Sequence, residues 1–490
     1  MNSFTQRVQV KRWAGAAAAF GVSLALGACS DLLDVTLPAQ LTDDVLVDPV
    51  GAGVQINSVI ANFESGMSDF NWQLAGHEDA IEIYLMSPSA SSATTSYLGQ
   101  LQSNTGYSSL MIARRFAKDL HAKLEKDWTV QQVPQRSQYL VITSIYEGAI
   151  YNWMASALCE GALDGGPLLT QKQMHDEAER VLTRAITEIG ASDFAMPYGT
   201  ATSALAMAYG LRAQHRWTAG DKAGAKADAE KVPARFFAYI TREATDARRN
   251  MPFYAGTASG FAELKKVNDW WRGPNQPANP VTGKTWPTVI PFTGYQELGI
   301  LLADGRAVRD DGLPIRRAGL YRTAVEDQAV PDSRIKFRTG QVQGLGVSYI
   351  NAKYASEGDD IPLVNWKEMV LIRAEIDGGQ KAIDLVNELR VADVLPRVTY
   401  ANPNEATQIK YMIIEERRRA LFLEGRFYYT KLQNLDLLWF PRKSGTLPGG
   451  INYQGGVKFA MPDNEYLLNT NIQDINKRGT GCDAGTRPTF

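Results

Sequence analysis

From Ser109 onward, apolar residues return at steps of three and four. Leu110, Ala113, Ala117, Leu120 and Leu124 would share one face of a helix. A second helix is predicted after Pro134, through Leu140, Ile145, Ala149, Tyr151 and Ala155. Further helices are read over 172–189, 201–217 and 221–231, the last stopped by Pro233. The pattern returns over 363–376, 380–391 and 405–423. Between these blocks, from 251 to 360, prolines, glycines, Trp270-Trp271 and Trp286 occur with no sustained helical period. That stretch is too long for a plain loop and predicts an irregular lobe of short strands and turns. The segment 31–107 mixes short apolar stretches with Ser, Thr, Gly and Pro, and 87–96 reads as an exposed loop. The stretch 434–490 is turn-rich and is expected to lie over the surface.

The first residues follow another rule. Arg7, Lys11 and Arg12 precede an apolar run from Trp13 through Ala28, the layout of a secretory signal peptide. The run is too short and too rich in Ala and Gly for a membrane span. It ends in Leu26-Gly27-Ala28-Cys29, which resembles the lipobox of bacterial lipoproteins. The resemblance implies removal of 1–28 and acylation of Cys29, and two or more acyl chains give stable membrane attachment. The 490 residues carry 51 Lys+Arg against 53 Asp+Glu. Losing three basic groups with the signal leaves a net charge near −5, which argues against nucleic acid as a partner. It also leaves the lipid as the only expected tie to a membrane. Of the cysteines Cys29, Cys159 and Cys482, lipidation of the first leaves a pair in an oxidising compartment. A Cys159–Cys482 disulfide is expected, with two separate free thiols as the alternative.

Two helix pairs share a spacing. Trp366 and Ala382 are 16 apart around Gly378-Gly379, and Tyr209 and Ala225 are 16 apart around Gly220-Asp221. An aromatic facing a small Ala at that interval is the tetratricopeptide pattern, in which the Ala permits a close helix crossing. The fold class is therefore mainly α. It is read as a tetratricopeptide-like helical-hairpin scaffold (108–235 and 361–433) with an irregular, loop-rich second lobe (236–360) and a tail (434–490).

The run Glu416-Arg417-Arg418-Arg419-Ala420-Leu421-Phe422-Leu423-Glu424-Gly425-Arg426-Phe427-Tyr428-Tyr429 carries a sharper signal. With the lipobox, it resembles the SusD/RagB-like family of outer-membrane nutrient-binding lipoproteins. Other matches keep the family's order: Pro331-Asp332-Ser333-Arg334, Lys353-Tyr354, Ile361-Pro362-Leu363, Glu368 through Glu375, Asn387-Glu388-Leu389-Arg390, and Phe459 through Glu465. Departures stand at Ala420, Phe427, Thr430 and Asn471 through Cys482, marking a divergent branch. The resemblance implies one domain over 29–490, anchored in the outer membrane and facing outward. It also implies binding of a nutrient, an oligosaccharide above all, and its delivery to a SusC-like TonB-dependent transporter. No enzyme activity and no cofactor are implied. The Glu and Arg positions read as a structural ion network: Glu415 and Arg419 are one turn apart, and Glu424 is expected to meet an arginine.

Constellations for covalent chemistry are missing from the sequence. His77, His121, His175 and His215 are scattered, with no metal spacing. Gly283-Lys284-Thr285 suggests a phosphate loop, but Ala278 stands where its first Gly belongs. The acid pairs Glu78-Asp79 and Asp359-Asp360 read as solvated loop charges. Sugar binding asks for aromatic faces and polar groups on exposed loops over a rigid scaffold. Two groups offer that mix: Asn71, Trp72, His77, Glu78, Asp79 and Tyr97, and Asp269, Trp270, Trp271, Arg272, Asn275 and Trp286. A lipid-anchored extracellular hydrolase and a protein-binding repeat scaffold remain as alternatives.

Overall fold

The computed structural model describes residues 46–78, 80–82, 106–245, 249–254, 266–267, 299–301, 307–309, 333–342, 346–398, 401–434, 458–459 and 461–472. The chain divides into a unit of residues 1–51 and a unit of 52–490. In the first, Pro49–Gly51 forms one 3-10 turn, with Val50 N donating to Asp48 Oδ1 at 2.9 Å.

The second unit opens with a helix that the sequence reading had passed over. α1 runs 26 residues, Ala52–His77. Ile56, Val59, Ile60, Phe63, Met67, Phe70 and Leu74 are all buried along it. Gly66 explains how it sits so deep: a Cβ there would come within 2.6 Å of Leu110 and 2.7 Å of the Gly106 carbonyl. The helical scaffold therefore begins at Ala52 and not at 108.

α2 (Tyr107–Lys126), α3 (Arg136–Ala157), α4 (Gln171–Ile189), α5 (Ala204–Ala219) and α6 (Lys222–Ala229) follow, each packing on its neighbour in sequence. α3 is buried continuously from Val141 to Ala157. Its internal acid, Glu147, accepts from Arg184 Nη2 at 2.7 Å. Thr170 opens α4 with a capping box on Gln173, satisfying two otherwise orphaned amides. The sheet pieces β2 (Gly161–Ala162) and β3 (Leu168–Leu169) make a small hairpin between α3 and α4.

The second helical block is α7 (Trp366–Asp377), α8 (Gly379–Ala392), α9 (Ala406–Ala420) and α10 (Phe427–Leu432), with α11 (Asp463–Leu468) near the end. Both expected hairpins are present: Trp366 and Ala382 lie in one core cluster, and Ala225 is fully buried below Tyr209's helix. Two boundaries differ from the periodicity. The helix read from 363 starts at Trp366, because β10 (Ile361–Asn365) pairs antiparallel with β4 (Phe237–Ile240). The helix read to 423 stops at Ala420, before a turn in which Leu423 and Gly425 take φ of 56° and 71°.

The tail also departs from expectation. Phe459 and Met461 are fully buried, and Phe459 exchanges backbone hydrogen bonds with Ala157 and Cys159 at the end of α3. Cys159 is disulfide-bonded; Cys29 and Cys482 both lie outside the described residues.

The lobe contributes β5 (Lys266–Val267), β6 (Gly299–Leu301), β7 (Ala307–Arg309), β8 (Phe337–Val342) and β9 (Gly346–Asn351), and β1 (Ile81–Glu82) joins from outside it. They build a four-stranded sheet in the order β1-β5-β9-β8 and a separate β6–β7 pair, in keeping with short strands in an irregular lobe.

Candidate functional site

The two groups of candidate ligand residues meet different fates. Asn71 is buried, its Oδ1 lying where a Cβ on Gly425 would approach to 2.5 Å. Trp72 is half-buried with its ring centroid 5.6 Å from that of Phe253. Phe253 in turn stacks on Tyr354 at 5.7 Å and 18°. His77 is the last residue of α1. Glu78 is buried and accepts from the amides of Phe427 (2.8 Å) and Tyr428 (3.1 Å). It thereby caps α10, whose own N-cap residue, Arg426, supplies no side-chain bond. The expectation of an exposed binding loop beginning at Asn71 is therefore corrected. Residues 71–77 finish a core helix because Phe70 and Leu74 continue its buried face. Asp79, Tyr97, Asp269, Trp270, Trp271, Arg272, Asn275 and Trp286 lie outside the described residues, as does Cys29.

β1 pairs antiparallel with β5, Ile81 opposite Val267 and Glu82 opposite Lys266. Paired strands lie about 4.8 Å apart. Because the pairing is antiparallel, the chain leaves β1 after Glu82 and β5 after Val267 at opposite ends of the pair. No spacing along the sequence could show that pairing, since its partners lie 186 and 184 positions apart.

Elsewhere in the unit, buried polar groups are clamped. Glu64 on α1 is buried; it accepts from Thr241 N (3.1 Å), Thr241 Oγ1 (2.7 Å) and Arg249 Nη2 (3.0 Å). Burial raises its pKa, against the pull of Thr241 and the two arginines. Asp360 accepts from Arg242 N at 2.7 Å. These bonds tie the lobe's first crossing to α1 and to the strand leading into α7. A second clamp forms around Lys353, whose Nζ donates to Glu424 Oε1 at 2.7 Å, while Asn365 Nδ2 donates to Glu424 Oε2 at 2.9 Å. Glu424 thus meets a lysine and an amide where an arginine was expected. Burial pushes the Lys353 pKa down and the Glu78 pKa up to about 7. Tyr354 OH donates to the Leu423 carbonyl at 2.8 Å. Phe253 and Tyr354 are buried packing residues, and the Lys353-Tyr354 motif supplies the donors that hold Glu424 and the Leu423 carbonyl.

The arginine-rich helix matches its structural reading. Arg419 Nε bonds Glu415 Oε2 at 3.1 Å, and both residues are buried. Glu416 receives Arg390 Nη1 and Arg334 Nη1, each at 2.6 Å. Glu368 accepts from Arg426 Nη2 (2.8 Å) and Gln214 Nε2 (2.8 Å). These acids face cations and not a cleft, an arrangement suited to holding shape. Among the described residues, no three or more His, Cys, Asp or Glu gather where a metal ion could be held. Nor is any described helix long and apolar enough to cross a membrane.

No family model and no curated protein matches the sequence. Solved structures do match. A SusD-like carbohydrate binding protein from Bacteroides vulgatus superposes with a TM-score of 0.59 at 12% identity, over 87% of this chain and 97% of that one. Surface glycan-binding protein A from Bacteroides thetaiotaomicron, in complex with laminarihexaose, gives 0.54 at 14% identity, over 85% and 98%. Bacteroides fragilis NanU gives 0.53 at 12% identity, over 89% and 97%. The chain has the SusD-like fold.

Proposed function

We propose that this chain is a divergent SusD/RagB-like surface lipoprotein that binds an oligosaccharide and delivers it to a SusC-like TonB-dependent transporter, making and breaking no covalent bond. The observation that carries the reading is the superposition over nearly the whole length of a SusD-like carbohydrate binding protein. The lipobox-like run ending at Cys29 supports an outer-membrane lipid anchor on the mature chain 29–490, and Cys482 is the proposed disulfide partner of Cys159. The ligand surface is proposed on the segments that flank the paired strands β1 and β5. Asp79, Tyr97, Asp269, Trp270, Trp271, Arg272, Asn275 and Trp286 are its proposed residues, with His77 at its edge. Aromatic rings there would stack on the C–H faces of sugar rings, while carboxylates and amides take the hydroxyls.

The test is isothermal titration of the intact protein against a panel of oligosaccharides and peptides, with chromatography of each mixture afterwards. Binding of a glycan with no product supports the proposal. Release of product would assign an anchored hydrolase, and silence across the panel would favour a protein-binding scaffold. Replacing Trp270 and Trp271 together by Ala is expected to weaken binding by about tenfold or more at an unchanged melting temperature. Unfolding of that variant would make the pair packing residues instead.

A further inference from the structure

The tail segment around Phe459 meets the scaffold at the end of α3. Phe459 N donates to the Ala157 carbonyl and Cys159 N to the Phe459 carbonyl, each at 2.9 Å. Further along, Tyr466 OH donates to Glu160 Oε1 at 2.5 Å and Asn469 Nδ2 to the Gly166 carbonyl at 2.8 Å. Just before Phe459 stands Lys458, whose Nζ donates to the Ala155 carbonyl at 3.2 Å. No described carboxylate answers this ammonium, and burial lowers its pKa to about 8.

The charge of Lys458 bears on a pair of imidazoles in the scaffold. His175 of α4 and His215 of α5 have ring centroids 5.2 Å apart and planes at 45°. Nδ1 of each is buried without a hydrogen-bond partner. Glu179 Oε2 is 3.8 Å from His215 Nε2, too far for a hydrogen bond, and it already accepts from Arg216 Nε at 3.1 Å. Burial opposes a proton on either ring, as do Lys458 at His175 and the groups His175, Arg216 and Arg212 at His215. Asp176 favours a proton on His175 and Glu179 one on His215, yet both rings are lowered to about 4. Two touching imidazoles cannot both take a charge cheaply where water does not reach. A proton on His175 also faces the ammonium of Lys458. Since Lys458 belongs to the tail and His175 to the scaffold, that repulsion falls across the docking contact.

We propose that Lys458, His175 and His215 make the docking of the tail acid-sensitive: proton uptake by the imidazoles drives 458–472 off the end of α3 while the helical scaffold stays folded. Undocking separates the ammonium from His175 and lets water reach the rings. Each ring that binds a proton on release raises the opening constant by about tenfold per pH unit between 6.5 and about 4. Glu465 of the tail is raised by burial and works the other way, favouring docking as pH falls. The released tail exposes Phe459 and Met461, both fully buried when docked. The device belongs to the scaffold and is independent of the glycan surface proposed above.

Hydrogen exchange read by mass spectrometry on the intact protein tests it from about pH 7 to about pH 4.5, with rates corrected for intrinsic exchange. Peptides from 461–472 are expected to lose protection by about tenfold to a hundredfold per pH unit, while peptides from α2 and α8 keep theirs. His175→Gln should lower that slope by about tenfold per unit. Lys458→Met, which removes the ammonium and keeps the stem, should shift the loss to lower pH and reads the same contact if His175→Gln does not fold. Glu160→Gln keeps the shape of the tail's other titratable contact and should leave the slope as it is. Tail protection that stays level with pH, or a loss shared equally by α2 and α8, would overturn the device. So would a parental slope in both His175→Gln and Lys458→Met, or a slope abolished by Glu160→Gln.

Discussion

Replacing Glu416 by Gln keeps its shape and removes its charge. Glu416 is 0% exposed, as is the side chain of Arg390, and that of Arg334 is 5% exposed. Each carboxylate oxygen takes one guanidinium at 2.6 Å. In the variant two buried cations lose the charge of this carboxylate, and breaking a buried pair costs about 3–5 kcal/mol. The unit Ala52–Phe490 unfolds with an entropy of about 0.9 kcal/mol/K, at about 2.1 cal/mol/K per residue. The melting temperature should therefore fall by about 3–6 °C in scanning calorimetry. The fall should persist at about 1 M NaCl, because buried pairs are poorly screened. As a reference, Lys172→Gln removes an i,i+4 pair whose members are 82% and 60% exposed; it should move melting by under about 1 °C. The triple change R334M/E416L/R390M should recover most of the loss, since apolar groups of similar volume can replace a buried ionic cluster. A Glu416→Gln protein melting within about 1 °C of the parent would refute the argument that this helix is held by desolvated charge.

Stability should also depend on pH from both sides. Glu78 titrates at about 7 when folded against an ordinary 4.5, so the folded state holds the extra proton between these values. Stability is therefore lost as pH rises from about 4.5 through 7, by about 3 kcal/mol, and Glu78→Gln should flatten that slope. His175 and His215, their ring centroids 5.2 Å apart, are both lowered to about 4 by burial. The unfolded chain takes up their protons first, so stability is also lost as pH falls from 6.5 to about 4. His175→Gln should reduce that acid-side loss in melting curves. A Cβ on Gly210 would meet Val364 Cγ1 at 2.3 Å; Gly210→Ala should cost about 1–3 kcal/mol by overpacking, and Val364→Ala should partly rescue it in urea titrations. Mass spectrometry under non-reducing conditions should find a Cys159–Cys482 peptide and no free thiol at either position, and alkylation of both would refute the pairing.

The sequence by itself determined the helical character of this protein, because helices leave a local signature. Burying one stripe of a helix demands apolar residues three and four apart, and α2 and α4 carry that period legibly. Tetratricopeptide-type pairing was readable for the same reason, since Trp366 and Ala382 need only a tight glycine turn to meet. α1 keeps the three-and-four period at Ile56, Val59, Ile60, Phe63, Met67, Phe70 and Leu74, but it also buries Gln55, Gly66, Ser68, Asn71 and Gln73, which blur the contrast between its faces. Those residues become tolerable only where another element answers them, as α2 does at Gly66 and the Glu-Gly turn does at Asn71. Glu78 looked like a solvated acid until Phe427 and Tyr428, some 350 positions away, brought it two amides. The start of α7 at Trp366 was decided by β4, whose pairing with β10 outbids the helical period of 363–365. Likewise the burial of Phe459 was decided by the open backbone groups of Ala157 and Cys159 at the end of α3. In each case the deciding partner is distant in sequence and supplies a hydrogen bond, a counter-charge or a packing surface. Periodicity cannot encode such a partner, because it records only which face of an element must be hidden, and never what hides it.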